Sequence, residues 1–227
     1  MWQQVQDGLW VRHVPYRIAG LRIGRQLIAV RLPGGGLWIN SPIPVTDDLR
    51  TALSALGPVS HVMAPNRWHD ECLEEFQRAY PDAAFHASPG LAADKPSVRF
   101  THELSATPHP AWANVLRQHL VGGMPRMNEI VFLHPASRTL ILTDLAFHLG
   151  YDEPWWNRAV FTLAGIPLRR FAPSRFSRSM MQDRAAVRAS LEHLLAWDFD
   201  RILVGHGRNI DTDGKAALRR AFAFLYL

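Results

Sequence analysis

Cysteine is nearly absent: Cys72 is the only one in 227 residues. That excludes an intrachain disulfide framework and a zinc site built from cysteines, and it fits a reducing compartment. Lysine is almost as scarce. Lys95 and Lys215 are the only two, so nearly all of the 25 basic residues are arginines. Arginine is the better bidentate partner for carboxylate or phosphate, although such a bias can also follow genome composition. A long apolar run is missing as well. The longest, residues 159–168 (AVFTLAGIPL), falls far short of the roughly 20 residues that span a bilayer. The opening MWQQVQDGLWVRHV has neither the charged start nor the apolar core of a signal peptide. A cytoplasmic chain with no transmembrane segment is the expectation. Repeats, low-complexity stretches and linkers are lacking too, so residues 1–227 read as one domain.

What is present begins with an antiparallel pattern. Residues 8–16, 26–32 and 36–41 read as strands, and the last two form a hairpin around Pro33, Gly34 and Gly35. Pro42 and Pro44 break the pattern. Thr46, Asp47 and Asp48 then open a helix that carries Leu49, Leu53 and Leu56 on one face. A strand at 59–63, a helix at 71–80 and a strand at 82–86 follow, an α/β alternation. Further strands are expected at 96–104, 113–121, 128–133 and 138–142. The strongest helix lies at 182–197, then a strand at 200–204 and a closing helix at 213–225. Residues 152–179 read as a long loop or lid with a short helix at 155–164.

The chemistry points to strand ends. The segment ILTDLAFHLG, residues 141–150, is an apolar strand that delivers Asp144 into a loop. Burying a carboxylate costs several kcal/mol unless something pairs with it. A cap is the bland explanation; a metal ligand or acid/base group is the other. The segment ILVGHGR, residues 202–208, repeats the design with His206 between two glycines. A third loop carries His69, Asp70 and Glu71, and Glu129 lies on the strand expected beside that of Asp144. Glu129 is expected either near this site or paired with Arg126 or Arg138. His148 reads as a loop or core histidine. The remaining histidines, among them His61, His86 and His109, carry no functional assignment. The basic cluster of Arg169, Arg170, Arg175, Arg178, Arg184 and Arg188 is either a patch for an anionic ligand or a solvated face.

The order VSHVMAPNRWHDECLEEF, then NEIVFLHPASRTLILTDLAF, then DRILVGHG resembles the metallo-β-lactamase superfamily. Within it, nearly the whole chain is similar to an uncharacterised branch, a domain of unknown function. The resemblance implies an α+β fold, a four-layer αββα sandwich with the site on the shared edge of its two sheets. Hydrolases of that superfamily carry a His-x-His-x-Asp-His loop, where this chain reads Pro65, Asn66, Arg67, Trp68, His69, Asp70. A further ligand histidine has no match near Gly123, Met124, Pro125 and Arg126. Asp144 matches the aspartate that bridges two metals, and His206 matches the last histidine.

Ligand counting separates the options. Two metals need about seven ligands; three protein ligands and water suffice for one zinc. The resemblance therefore implies a hydrolase holding one divalent metal at His69, Asp144 and His206. Zinc suits that set best, and iron or manganese also fit. Asp70 or Glu129 is expected as general base or as an orienting group. The lid arginines would favour a small anionic substrate. The competing expectation is a metal-free, inactive chain that keeps the fold and binds an anionic ligand or a protein partner. Nucleic acid is not expected, because aromatic and basic residues are not interleaved on a reading motif. Oligomeric state is left open.

Overall fold

A computed structural model describes residues 2–227. The chain opens with strands β1 (Trp2–Gln6) and β2 (Leu9–Val14), then a small hairpin of β3 (Arg17–Ile18) and β4 (Leu21–Arg22). β5 (Arg25–Arg31) and β6 (Leu37–Asn40) form the expected hairpin, followed by α1 (Asp47–Leu56), β7 (Val59–Ala64), α2 (Leu73–Ala79), β8 (Ala84–Ala87), α3 (Leu91–Asp94) and β9 (His102–Glu103). β10 (Arg117–Leu120), β11 (Ile130–His134) and β12 (Thr139–Ile141) come next. The last part holds α4 (Trp155–Leu163), α5 (Arg175–Ser179), α6 (Arg184–Ala196), β13 (Arg201–Leu203) and α7 (Gly214–Ala221).

Seven strands form one sheet in the order β1-β2-β5-β6-β7-β8-β9, and four form another in the order β10-β11-β12-β13. Side chains alternate across each strand, and here both faces are covered. On β5, Leu27 and Ala29 meet the outer layer of α1 and α2, while Ile28 and Val30 face inward. On β11, Val131 and Leu133 join the core under α6 and α7, while Ile130 and Phe132 face inward. The inner faces meet in a third core, where Trp38 sets its edge against Phe132 at 4.8 Å between centroids. The result is the four-layer αββα sandwich. Among the described residues no helix is long and apolar enough to cross a membrane.

Local signals explain most boundaries. The Thr46 hydroxyl accepts the Leu49 N–H and starts α1; Asp183 accepts from Ala186 N and starts α6. Three expectations need correction. Of the strands expected at 96–104 and 113–121, only His102–Glu103 and Arg117–Leu120 form. At the start of the first, Pro96 has no N–H for a ladder and Val98 N donates to Lys95 O in a turn; at the start of the second, Ala113 N donates to His109 O, and Val115 N and Leu116 N donate to Trp112 O. The closing helix ends at Ala221 and continues only as a 3-10 turn at Ala223–Leu225.

Candidate metal centre

Strand register sets up the site. β12 and β13 pair in parallel, with Ile141 opposite Leu203. Three residues beyond that pair, the two chains reach Asp144 and His206 together. Both therefore emerge at the carboxyl end of the sheet, where crevices form in parallel sheets. In the other sheet, β6 and β7 also run parallel, with Asn40 opposite Met63. Their carboxyl ends deliver Ser41 and the loop that bears His69.

That loop is folded by Asn66. Its side-chain oxygen accepts the N–H groups of Trp68 (2.9 Å) and His69 (3.0 Å), turning His69 inward. Its amide nitrogen reaches Asp144 Oδ2 (2.8 Å), Thr143 Oγ1 (3.0 Å) and Glu129 Oε2 (3.3 Å). Glu129 is fully buried behind them. Its Oε1 accepts the Thr143 N–H and its Oε2 the Asp144 N–H, each at 2.8 Å. Glu129 thus fixes the Asp144 loop. The expected pairing with Arg126 or Arg138 is absent, since Arg138 binds Asp198. Two glycines permit the approach. A Cβ on Gly205 would lie 3.2 Å from His69 Cε1, and Gly207 takes a φ of +89°, where a side chain would run into His148 O.

The structure brings His69, Asp144 and His206 together, all three buried, with one donor atom of each within 4.8 Å of the other two. His69 Nε2 lies 3.2 Å from Asp144 Oδ2, and His206 Nε2 lies 3.4 Å from Asp144 Oδ1. Donors sharing a tetrahedral zinc at about 2 Å stand roughly 3.3 Å apart, so both histidine-to-Asp144 spacings suit one ion. The outer nitrogens are engaged. His206 Nδ1 donates to Gly24 O at 2.6 Å, which aims Nε2 at Asp144. His69 Nδ1 meets Ser41 Oγ at 2.6 Å, and its Nε2 is buried with no aligned hydrogen bond. An orphaned inward nitrogen in a fixed ring is what a metal would satisfy.

Burial pushes the His69 imidazole down to about 4, and Arg25 and His206 add to this against the pull of Asp144. His69 is therefore neutral near pH 7. Burial works against ionisation of Asp144, but His69 and His206 outweigh it and hold the carboxyl well below its usual range. Burial, then the charge of Asp144, pushes Glu129 up to about 7.

A cavity of about 320 Å³ opens over the cluster. Its walls are mostly apolar, with Ile23, Phe147, Leu149 and Ile166 among them. Its one cation is Arg25, which the sequence reading did not single out. Arg25 is 2% exposed; Nη1 stands 3.4 Å from Glu71 Oε2, while buried Nε and Nη2 have no partner. The available signal was an arginine heading a strand that has no polar face. Asp70 is not brought into the cluster: its carboxylate lies 3.3 Å from Lys95 Nζ. His148 binds Arg208 O and the Tyr151 hydroxyl. The lid does border the cavity through Ala164, Ile166 and Phe176, but its arginines do not. Arg169, Arg170 and Arg178 line a separate cavity of about 610 Å³ with Arg220.

Solved structures with this architecture are numerous. The metallo-beta-lactamase from Pontibacter korlensis superposes with a TM-score of 0.69 at 15% identity, covering 100% of this chain and 98% of its own. The metallo-beta-lactamase from Erythrobacter litoralis gives 0.68 at 15% identity, over 99% and 95%. The metal-soaked Flv1 flavodiiron core from Synechocystis sp. PCC6803 gives 0.67 at 14%, over 100% of this chain and 60% of its own. These likenesses establish the fold. No curated protein matches the chain. Residues 6–172, however, match the family described as "Domain of unknown function (DUF4336)". With that match over most of its length, the chain belongs to the DUF4336 family and carries it on a metallo-β-lactamase fold.

Proposed function

We propose that residues 1–227 form one metal-dependent hydrolase domain in which His69, Asp144 and His206 hold a single divalent ion, zinc by preference. The observation that carries the reading is the convergence of three buried donors whose outer partners, Ser41 and Gly24, already fix both rings. An ion held by this set supplies a Lewis acid and activates water near neutral pH. The chain's own groups do the rest. Ser41 and Gly24 aim the two imidazoles. Glu129 and Asn66 lock the Asp144 loop, and with both oxygens committed to backbone N–H groups Glu129 orients rather than acts as base. Arg25 offers unpartnered N–H donors beside the cluster, so the substrate class is a small anion, with its apolar part against Ile23 and Phe147.

Metal analysis of protein purified without chelator tests the reading. About one ion per chain is expected, lost in His69→Ala and His206→Ala. A trace content that added zinc, iron or manganese cannot raise would remove the hydrolase reading. One observation favours a second reading, in which catalysis is lost and an anionic ligand binds elsewhere: four arginines border the 610 Å³ cavity. In that case charge reversal at Arg169 and Arg170 abolishes ligand binding, while His69→Ala leaves it unchanged.

A further inference from the structure

Six of the eight large apolar side chains left exposed among the described residues fall on three adjoining elements, the β3–β4 hairpin, α4 and α5: Ile18, Trp155, Trp156, Val160, Leu163 and Phe176. Their exposure is not marginal, at 75% for Trp155 and 84% for Leu163. Helical spacing explains the stripe. In α4, Asn157 and Phe161 are buried, so Trp156, Val160 and Leu163 fall on the outer side. Asn157 then ties the helix to the β3–β4 hairpin, accepting the Arg22 N–H at 2.8 Å and donating to Arg22 O at 2.9 Å. That tie places Ile18 beside α4. Ile18 and Phe176 also border the 320 Å³ cavity, so the cavity mouth lies within the same apolar face.

The charge contributed by the hairpin, α4 and α5 has one sign. Arg17 and Arg22 flank it on the hairpin, Arg158 on α4 and Arg175 on α5, whereas residues 14–24 and 154–182 contain no aspartate or glutamate. The carboxylates around it are engaged: Asp152 binds Arg208 at 2.7 Å, Glu153 accepts the Gly150 N–H, and Glu71 on the cavity wall stands 3.4 Å from Arg25 Nη1. A contiguous exposed apolar patch marks an interaction surface. A second copy of this chain would set arginine against arginine, which opposes docking. An anionic bilayer accepts both features: tryptophan and leucine enter the headgroup boundary while arginines meet lipid phosphates and carboxylates.

We propose that the face formed by β3–β4, α4 and α5 docks on an anionic lipid bilayer, with Trp155 and Leu163 inserted and the cavity mouth turned toward the lipid. This docking does not depend on the metal chemistry above.

The full chain, sedimented with vesicles of phosphatidylcholine and phosphatidylserine, should pellet several-fold more than with phosphatidylcholine alone, and less as salt rises. A W155S/L163S double variant should bind about tenfold more weakly. An R17E/R22E variant should lose the preference for phosphatidylserine. Both sets of side chains are exposed, so circular dichroism should match the wild type. Protein stripped with chelator should pellet as well as untreated protein, which separates this test from the metal-site reading. Absence of pelleting with anionic vesicles, or undiminished pelleting of W155S/L163S, would overturn the proposal. So would a concentration-dependent dimer that W155S/L163S disperses without any vesicle binding, since the patch would then serve a second copy.

Discussion

Two groups of histidines sit in this molecule, and their surroundings differ. At the carboxyl ends of the strands, His69 and His206 each have an outer nitrogen fixed by Ser41 or Gly24 and an inner nitrogen facing one carboxylate, Asp144. At the β7–β8–β9 edge, His61, His86, His102 and His109 form one cluster, with Trp112 against His61, His86 and His109. His61 Nδ1 is 3.1 Å from His86 Nε2, and the His86 and His102 rings stack at 5.2 Å. The outer nitrogen of His86, Nδ1, is buried without a partner. The contrast teaches that proximity of imidazoles does not make a metal site. A metal centre also needs oriented rings and an acidic neighbour; without them burial and the neighbouring imidazoles set the protonation state, and the rings behave as packing.

The largest expected effect breaks the first group. Asp144→Ala removes the only carboxylate that both inner nitrogens face, and metal content measured by mass spectrometry should fall from one ion per chain to a trace. His86→Leu should leave the metal content unchanged. Retention of metal by Asp144→Ala would show that the ion sits elsewhere and would dissolve the contrast.

Acid distinguishes the groups next. Burial, and then His61, His102 and His109, push His86 down to about 3, and burial with its histidine neighbours lowers His61 and His109 as well. The unfolded chain binds these protons near pH 6.5. Between about 6.5 and 3 the unfolded state is therefore the more protonated one, and stability falls as pH falls through that window. Loss on the order of 2–4 kcal/mol is expected from His86 after allowance for its partial burial. Urea titrations at several pH values measure it. His86→Leu should flatten the slope; an unchanged slope would place the acid sensitivity in other groups.

Much of this is legible in the sequence, for physical reasons. Asp144 and His206 follow directly on short apolar strands, so a parallel pairing of those strands brings them together whatever the loops do. The alternation of elements points to a mixed strand and helix architecture, and the four-layer sandwich is what the resemblance to the metallo-β-lactamase superfamily implies. His69 was less legible from the residues alone, because its inward turn depends on Asn66 accepting two backbone N–H groups. Asp70 is adjacent in sequence, yet it points to Lys95, since a loop without strand or helix period does not say which neighbour faces in. Arg25 was hidden by a strand boundary drawn one residue late. The second histidine group was invisible for a different reason: its members are 25, 16 and 7 residues apart in sequence, and only the parallel β7–β8–β9 order aligns them.

Ser41→Ala sharpens the comparison at smaller cost. His69 keeps its place in the loop but loses the partner that fixes its outer nitrogen, which makes it resemble His86. A drop of roughly 10–100-fold in zinc affinity is expected, the range typical of lost outer-shell partners. Ser41→Thr, which keeps a hydroxyl, should recover part of it. Competition with a chromogenic chelator reads both; equal affinities for wild type and Ser41→Ala would mean that the ring is held by packing alone.

The smallest effect tests whether the second group is packing after all. His102 is exposed, and it touches the cluster from the short edge strand β9, 4.9 Å from the His109 ring. Its replacement by alanine removes little buried surface, so stability near pH 7 should change by less than about 0.5 kcal/mol. The metal content should stay at one ion per chain, because none of the first group's donors touches this edge. Acid sensitivity should soften slightly, since a charge that opposes protonation of His86, His61 and His109 is gone. A fall in metal content on His102→Ala would reverse the contrast: four imidazoles without an acid would then be a ligand set, and His61 Nδ1 and His86 Nε2, already 3.1 Å apart, would be its first two members.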